Sequence, residues 1–163
     1  MNNLVDTANR ICMEAHSGQV DKAGEQYSTH PQRAASHAMN IARLFFPALL
    51  EEEVIAVTLL HDVLEDCPDW NSARLIAEGI PEHLIPLIEA VTKRPGEARS
   101  DYLDRIANAG PLALIVKLAD LTDNTEPWRL SRLPAEKVEQ LRAKYAPDLV
   151  KVKRAFAEAI LSS

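Results

Sequence analysis

Cysteine is scarce in this chain: only Cys12 and Cys67 occur among 163 residues, and no CxxC spacing is present. Two isolated thiols exclude a disulfide framework and a Cys-rich zinc site, and they read as packing residues in a reduced compartment. A basic excess is missing as well. Lys and Arg number 18 against 24 Asp and Glu, a net charge of -6 with His neutral, which disfavours long-range attraction to a nucleic acid polymer or an anionic membrane. Any phosphate-bearing ligand therefore needs a local device, either a metal ion or a few convergent cations. No run approaches 18 uninterrupted apolar residues, and the first ten residues carry Asp6 where a leader would have a basic segment and an apolar one. Neither a membrane span nor a secretory leader is expected, so a cytoplasmic location is the expectation. Internal repeats and low-complexity tracts are also absent.

What is present is an ordinary globular composition, 47% hydrophobic and 26% charged. A chain of this length reads as one domain over 1–163, able to bury roughly 70% of its unfolded surface. Helical spacing recurs almost throughout, punctuated by Pro and Gly. A first helix is expected from Asn3 to His16 and a loop from Gln19 to Thr29. A second helix opens around Pro31, where a missing N–H costs nothing, and ends before Pro47. Glu51 to Glu53 favour the start of a third, which continues through VIAVTLLHDVLED and is apolar around most of its circumference, hence central. Shorter helices are expected over Asn71–Glu78, Pro81–Thr92 and Arg99–Ala109. Pro111 begins a further buried helix to Glu126, whose length without Gly or Pro overrides the β-preference of Ile115 and Val116. Val138, Leu141, Tyr145, Leu149, Val152, Phe156 and Ile160 mark one face of a last helix, with a kink or break expected near Ala146 because of Pro147. The class is all-α, a single-domain helical bundle.

Two of these buried helices carry charge. His61 and Asp62 fall within the third, and helical stacking sets Asp62 above Asp66 and His61 above Glu65. Asp120 repeats the anomaly in LIVKLADLTDN, with Lys117 before it and Asn124 one turn beyond. Uncompensated, such burial is costly. A cation shared between the two helices, with His30 of THP as a further ligand, explains both. His30, His61, Asp62 and Asp120 then form a nitrogen-and-oxygen donor set that suits Mn²⁺ first, with Fe²⁺ or Zn²⁺ as alternatives. Such an ion polarises a phosphoryl oxygen and acidifies bound water, and Glu65 and Asp66 sit where a water can be positioned or deprotonated. Lys117 reads equally as a phosphate ligand or as the partner of a carboxylate. Lys93, Arg94 and Arg99 read as a solvated loop, His16 and His37 as structural, and Trp70 and Trp128 as packing.

The ordered set H…HD…D resembles the HD-domain phosphohydrolase superfamily. The longer segments AHSGQVDKAGEQYSTHP, LLHDVLED and VKLADLTDN resemble the hydrolase domain of RelA/SpoT proteins, over nearly the whole chain. With no synthetase domain in view, the chain is most similar to the stand-alone small alarmone hydrolases, of which the metazoan SpoT homologue is one. The resemblance implies an HD-domain helical bundle and His30, His61, Asp62 and Asp120 as Mn²⁺ ligands. It implies Glu65 and Asp66 as the pair that activates water to remove the 3′-pyrophosphate of (p)ppGpp, the alarmone of the stringent response. On the same resemblance Lys22, Tyr27, Lys117, Asn124 and Tyr145 would contact a small nucleotide substrate. One departure stands out. Many family members have an arginine just before the lysine, able to stack on guanine; here the segment is Val20-Asp21-Lys22, and an acid cannot stack that way. Both (p)ppGpp and (p)ppApp therefore remain candidate substrates. Two other functions are compatible with the metal set: an HD-type 5′-deoxynucleotidase, and a catalytically silent alarmone-binding module. An oligomer is possible, although packing of the last helix against its own domain explains its apolar face more simply.

Overall fold

A computed structural model describes residues 3–162. Met1, Asn2 and Ser163 lie outside the described residues, so the expected domain limits 1–163 are described only between them. The described residues form an all-α bundle, with no β-strand beyond one bridging pair, Val20 with Gln26. The helices are α1 (Leu4–Ala15), α2 (Thr29–Phe45), α3 (Glu51–Leu60), α4 (Val63–Asp66), α5 (Ser72–Ala77), α6 (Ile85–Val91), α7 (Arg99–Asn108), α8 (Pro111–Asn124), α9 (Pro127–Leu130) and α10 (Ala135–Leu161), with a 3₁₀ turn at Glu82–Leu84 before α6. Local chemistry explains several starts. Asn3 and Asn71 accept from the backbone N–H of Asp6 and Arg74 at 2.8 and 2.9 Å, capping α1 and α5. Pro111 opens α8 directly after Gly110, whose φ of 100° suits a residue without a Cβ.

Helix α8 is the axis of the bundle, packed against α2, α3, α6, α7 and α10, while α3 is covered by α1 and α2. Its residues Ile115, Val116, Ala119 and Leu121 are fully buried, as are Val54, Val57 and Leu60 of α3. Each large aliphatic side chain withdrawn from water in this way contributes about 1.5–3 kcal/mol. The two helices that read as central in sequence are therefore the two that build the core. Cys12 and Cys67 are buried free thiols, and Trp70 is buried against the Arg74 guanidinium, 3.8 Å from its ring centroid.

Four expectations need correction. Helix α3 stops at Leu60, and the chain turns through His61 and Asp62 before α4. The Thr58 carbonyl accepts the N–H of His61 at 3.4 Å and its ring Nδ1 at 2.7 Å, so the side chain competes with the helical ladder just where the regular bond to Asp62 would form. Conversely, Pro147 does not break α10, which runs unbroken over 27 residues. Pro147 and Ala143 are both exposed, so water can satisfy the carbonyl that proline leaves free. The buried face of Leu141, Tyr145, Val152 and Phe156 continues across it, and Asp148 is clamped to Arg99 of α7 by two 2.8 Å bonds from Nε. Trp128, read as packing, is 41% exposed, and the guanidiniums of Arg33 and Arg132 are each 5.2 Å from its ring centroid. Arg99 belongs to this clamp instead of a solvated loop. Sequence reading also passed over the four-residue α9.

Candidate functional site

Packing of α2 and the α3–α4 turn against α8 brings four chemically notable side chains to one point. His30 enters from the first turn of α2, His61 and Asp62 from the turn, and Asp120 from mid-α8. His30 Nε2 lies 3.3 Å from Asp120 Oδ1 and 3.7 Å from Asp62 Oδ2. His61 Nε2 lies 3.1 Å from Asp62 Oδ2 and 3.7 Å from Asp120 Oδ1. The two imidazole rings meet edge to face, centroids 5.4 Å apart. All of the expected ligand residues are thus convergent, and both rings are 4% exposed at the side chain.

The proton inventory of these rings tests whether the group suits a cation. His61 Nδ1 faces the Thr58 carbonyl at 2.7 Å and His30 Nδ1 faces Asp123 Oδ2 at 2.6 Å. Each acceptor holds a proton on Nδ1, so that in the neutral ring, the form that binds a cation, the lone pair is on Nε2. His61 Nε2 has no hydrogen-bond partner although buried, because Asp62 approaches it outside bonding geometry. Two imidazole lone pairs and two carboxylates aimed at one place fit a hard divalent ion, with His30, His61 and Asp62 offering atoms within 4.8 Å of one another. Asp120 is partly engaged, Oδ2 by Lys117 Nζ at 2.6 Å and Oδ1 by the Asn124 amide.

Electrostatics point the same way. Burial disfavours imidazolium at both histidines, yet the carboxylates overcome it: Asp120 and Asp123 raise His30, and Asp62 and Asp120 raise His61 well above the ordinary value. Asp120 is held far below the carboxylate range, with burial opposing and Lys117 and the histidines prevailing. Burial disfavours the Lys117 ammonium too, and the Asp120 carboxylate more than offsets it. The carboxylates of this cluster thus favour positive charge beside them.

Of these residues, His30, Asp62, Lys117 and Asp120 line a pocket of about 380 Å³, and His61 does not. Glu65 and Asp66 stand at its exposed edge. Burial, then the Asp62 and Asp66 charges, push the Glu65 carboxyl up, against one bond from the Lys93 N–H at 3.0 Å. Burial and Asp62 likewise push up Asp66. Tyr27 also lines the pocket, but its hydroxyl is directed to Asp62 Oδ2 at 2.7 Å and Asp66 Oδ2 at 3.3 Å. Lys22, Lys117, Asn124 and Tyr145 all line the same space. His16 meets the Tyr27 ring with centroids 4.7 Å apart at a 36° tilt and Gln19 through Nδ1 at 2.9 Å, and its buried Nε2, like that of His61, has no hydrogen-bond partner.

The loop before α2 is a small hairpin. Asp21 Oδ1 accepts from the Ala23 and Glu25 amides at 2.8 and 3.0 Å, and its Oδ2 accepts from Arg129 at 2.9 Å. Asp21 is spent on holding the loop, and Val20, 65% exposed, is the apolar loop side chain at the pocket. Sequence reasoning missed Asp123, Arg33, Arg129 and Lys144. Asp123 had the same signal as Asp120, an acid in an apolar helix, and Arg33 lies one turn after His30 on the α2 face that meets α8. Lys144, a basic residue on an exposed helix face, gave no signal. It lines the pocket with Lys22, and burial followed by neighbouring cations lowers the pKa of both lysines.

No protein-family model matches the chain. It is 45% identical over 124 residues to the guanosine-3′,5′-bis(diphosphate) 3′-pyrophosphohydrolase of Haemophilus influenzae, covering 70% of this chain and 17% of that protein. The protein of the same name from Aquifex aeolicus is 28% identical over 155 residues, 91% of this chain and 20% of that one. The chain thus spans about one fifth of the length of these curated relatives. A solved structure described as a metazoan ortholog of SpoT that hydrolyzes ppGpp superposes with a TM-score of 0.65 at 20% identity, covering 97% of this chain and 96% of that one.

Proposed function

The chain belongs to the RelA/SpoT hydrolase family, and we propose that it is a Mn²⁺-dependent 3′-pyrophosphohydrolase of nucleotide alarmones, (p)ppGpp and/or (p)ppApp. The observation that carries this reading is the convergence of two buried histidine Nε2 atoms with Asp62 and Asp120, with His30, Asp62 and Asp120 lining a pocket that also holds Glu65 and Asp66. The curated relatives named for this activity, and the metazoan ortholog described as hydrolyzing ppGpp, supply the substrate class. His30, His61, Asp62 and Asp120 would hold the ion, with Fe²⁺ or Zn²⁺ as alternatives to Mn²⁺. Bound there, it supplies Lewis acidity toward a phosphoryl oxygen and toward water.

The chain's own residues do the rest. Glu65, with its carboxyl pushed up by burial, takes the proton from the attacking water. Asp66, tethered by the Tyr27 hydroxyl, orients that water beside it. The new bond joins water oxygen to the phosphorus next to the ribose; the bond from that phosphorus to the 3′-oxygen breaks, and the 3′-oxygen ends protonated. The products are the nucleoside 5′-di- or triphosphate and pyrophosphate. Lys22 and Lys144 line the same pocket and offer charge to phosphate, which is how an acidic protein gathers a highly anionic substrate. Tyr145 and Asn124 complete the pocket wall. Because Asp21 is turned into the loop and Val20 faces the pocket, the base meets an apolar contact that does not separate guanine from adenine.

The test is turnover of ppGpp, pppGpp, ppApp, pppApp and deoxynucleoside monophosphates by Mn²⁺-loaded protein, with chromatographic separation of products. Pyrophosphate from guanosine or adenosine tetra- and pentaphosphates is expected. Release of phosphate from monophosphates alone makes the chain a nucleotidase, and metal binding without any cleavage makes it a silent binding module.

A further inference from the structure

Asp123 has no part in the chemistry above, yet its side chain is fully buried. Its Oδ2 is 2.6 Å from His30 Nδ1. Arg33 donates from Nε to Oδ1 at 2.7 Å and from Nη2 to Oδ2 at 3.3 Å. Arg129 Nη1 also bonds Oδ2, and its Nη2 reaches Asp21 of the loop bearing Lys22 at 2.9 Å. A buried acid with two guanidiniums is seldom a gain in stability over apolar packing of the same volume. The contact that packing does not account for is the one to the histidine ring.

We propose that Asp123 is a positioning residue that fixes the ring of His30 with the proton on Nδ1, so that Nε2 presents its lone pair between His61, Asp62 and Asp120. This rests on the metal reading given above. Arg33 and Arg129 occupy the remaining lone pairs of the carboxylate and stop it from swinging away, and through Arg129 the same strut braces the Asp21 turn. His61 reaches the same state by another route, through the Thr58 carbonyl, and so serves as an internal control. Outer partners of this kind typically tune metal affinity 10- to 100-fold.

The experiment is calorimetric titration of Mn²⁺ into the metal-stripped full chain and into D123N. An amide has one accepting and one donating edge where the carboxylate accepts on both, so His30 Nδ1 competes with Arg33 and Arg129 for one neutral acceptor. Where the NH₂ faces His30 Nδ1 it selects the Nε2–H tautomer and hides the lone pair, and where the oxygen does, the neutral acceptor holds the Nδ1 proton less firmly than the carboxylate. Mn²⁺ affinity is expected to fall 10- to 100-fold with the circular dichroism spectrum unchanged. Equal affinity in parent and folded D123N overturns the positioning role alone. A parent that binds no divalent ion overturns the metal reading, and the positioning role with it. A second readout needs no variant to fold: in the Zn²⁺-loaded parent, ring-nitrogen NMR should show His30 protonated on Nδ1, and an unprotonated Nδ1 overturns the proposal.

Discussion

Replacing Lys117 with methionine removes the positive charge that the chain itself supplies to its most acidic interior. The Lys117 and Asp120 side chains are 10% and 8% exposed and meet at 2.6 Å. Removing one partner of a buried pair costs about 3–5 kcal/mol, since the other charge stays buried without its counter-charge. Loss of the ammonium's contact with the Tyr102 ring, 5.2 Å from its centroid, adds about 0.5–1 kcal/mol. Methionine preserves most of the stem's packing, so little cavity cost arises. His30, His61 and Asn124 still touch Asp120, which places the expected loss near the low end, about 3 kcal/mol without metal. A divalent ion beside Asp120 replaces the missing charge, so at saturating Mn²⁺ the deficit should shrink to about half or less of that value. Urea unfolding followed by circular dichroism, once in chelator and once in Mn²⁺, measures both numbers. A loss below about 1 kcal/mol in chelator, or an equal loss in both conditions, refutes the reasoning.

Two further outcomes follow from the same geometry. Asp123 is held at about 2 against an ordinary 3.8, burial opposing while His30, Arg33 and Arg129 prevail. A depressed folded-state value gives stability that is present above the unfolded value and lost as pH falls through the folded one, worth up to about 2 kcal/mol. The unfolding free energy of D123N should therefore vary less between about pH 4 and pH 2 than that of the parent, and parallel curves would contradict the assignment. K22A and K144A should each raise KM about 5- to 10-fold with kcat within about 2-fold, and the penalty should lessen in high salt. Unchanged KM in both variants removes these lysines from the phosphate contacts.

The core was legible because α3 and α8 announce burial by composition alone: eight consecutive residues such as VIAVTLLH admit no solvated face, and Ile115 to Leu121 hardly more. The convergent cluster was legible for the complementary reason, since His61, Asp62 and Asp120 violate that composition and a violation of burial needs compensation. The break at His61 escaped notice because it arises from a side chain bonding the carbonyl of Thr58, which helical periodicity does not register. Pro147 misled in the opposite sense: its cost depends on whether the carbonyl it strands meets water, and only the exposure of that face of α10 answers this. Asp21 shows where resemblance ends, for its carboxylate is absorbed by Arg129, 108 residues away in sequence. A partner so distant leaves no local trace.

In the proposed reaction Glu65 and Asp66, beside a metal held by His30, His61, Asp62 and Asp120, cleave a 3′-pyrophosphate. This reaction is tested most directly by ³¹P NMR of ppGpp and ppApp incubated with Mn²⁺-loaded parent and with the E65Q/D66N double variant. The parent should convert at least one of them to pyrophosphate and nucleoside 5′-diphosphate, and the double variant, still binding Mn²⁺, should be slower by about 10²- to 10⁴-fold or more. Orthophosphate as the product, no product from a metal-bound parent, or undiminished turnover in the double variant would contradict the account.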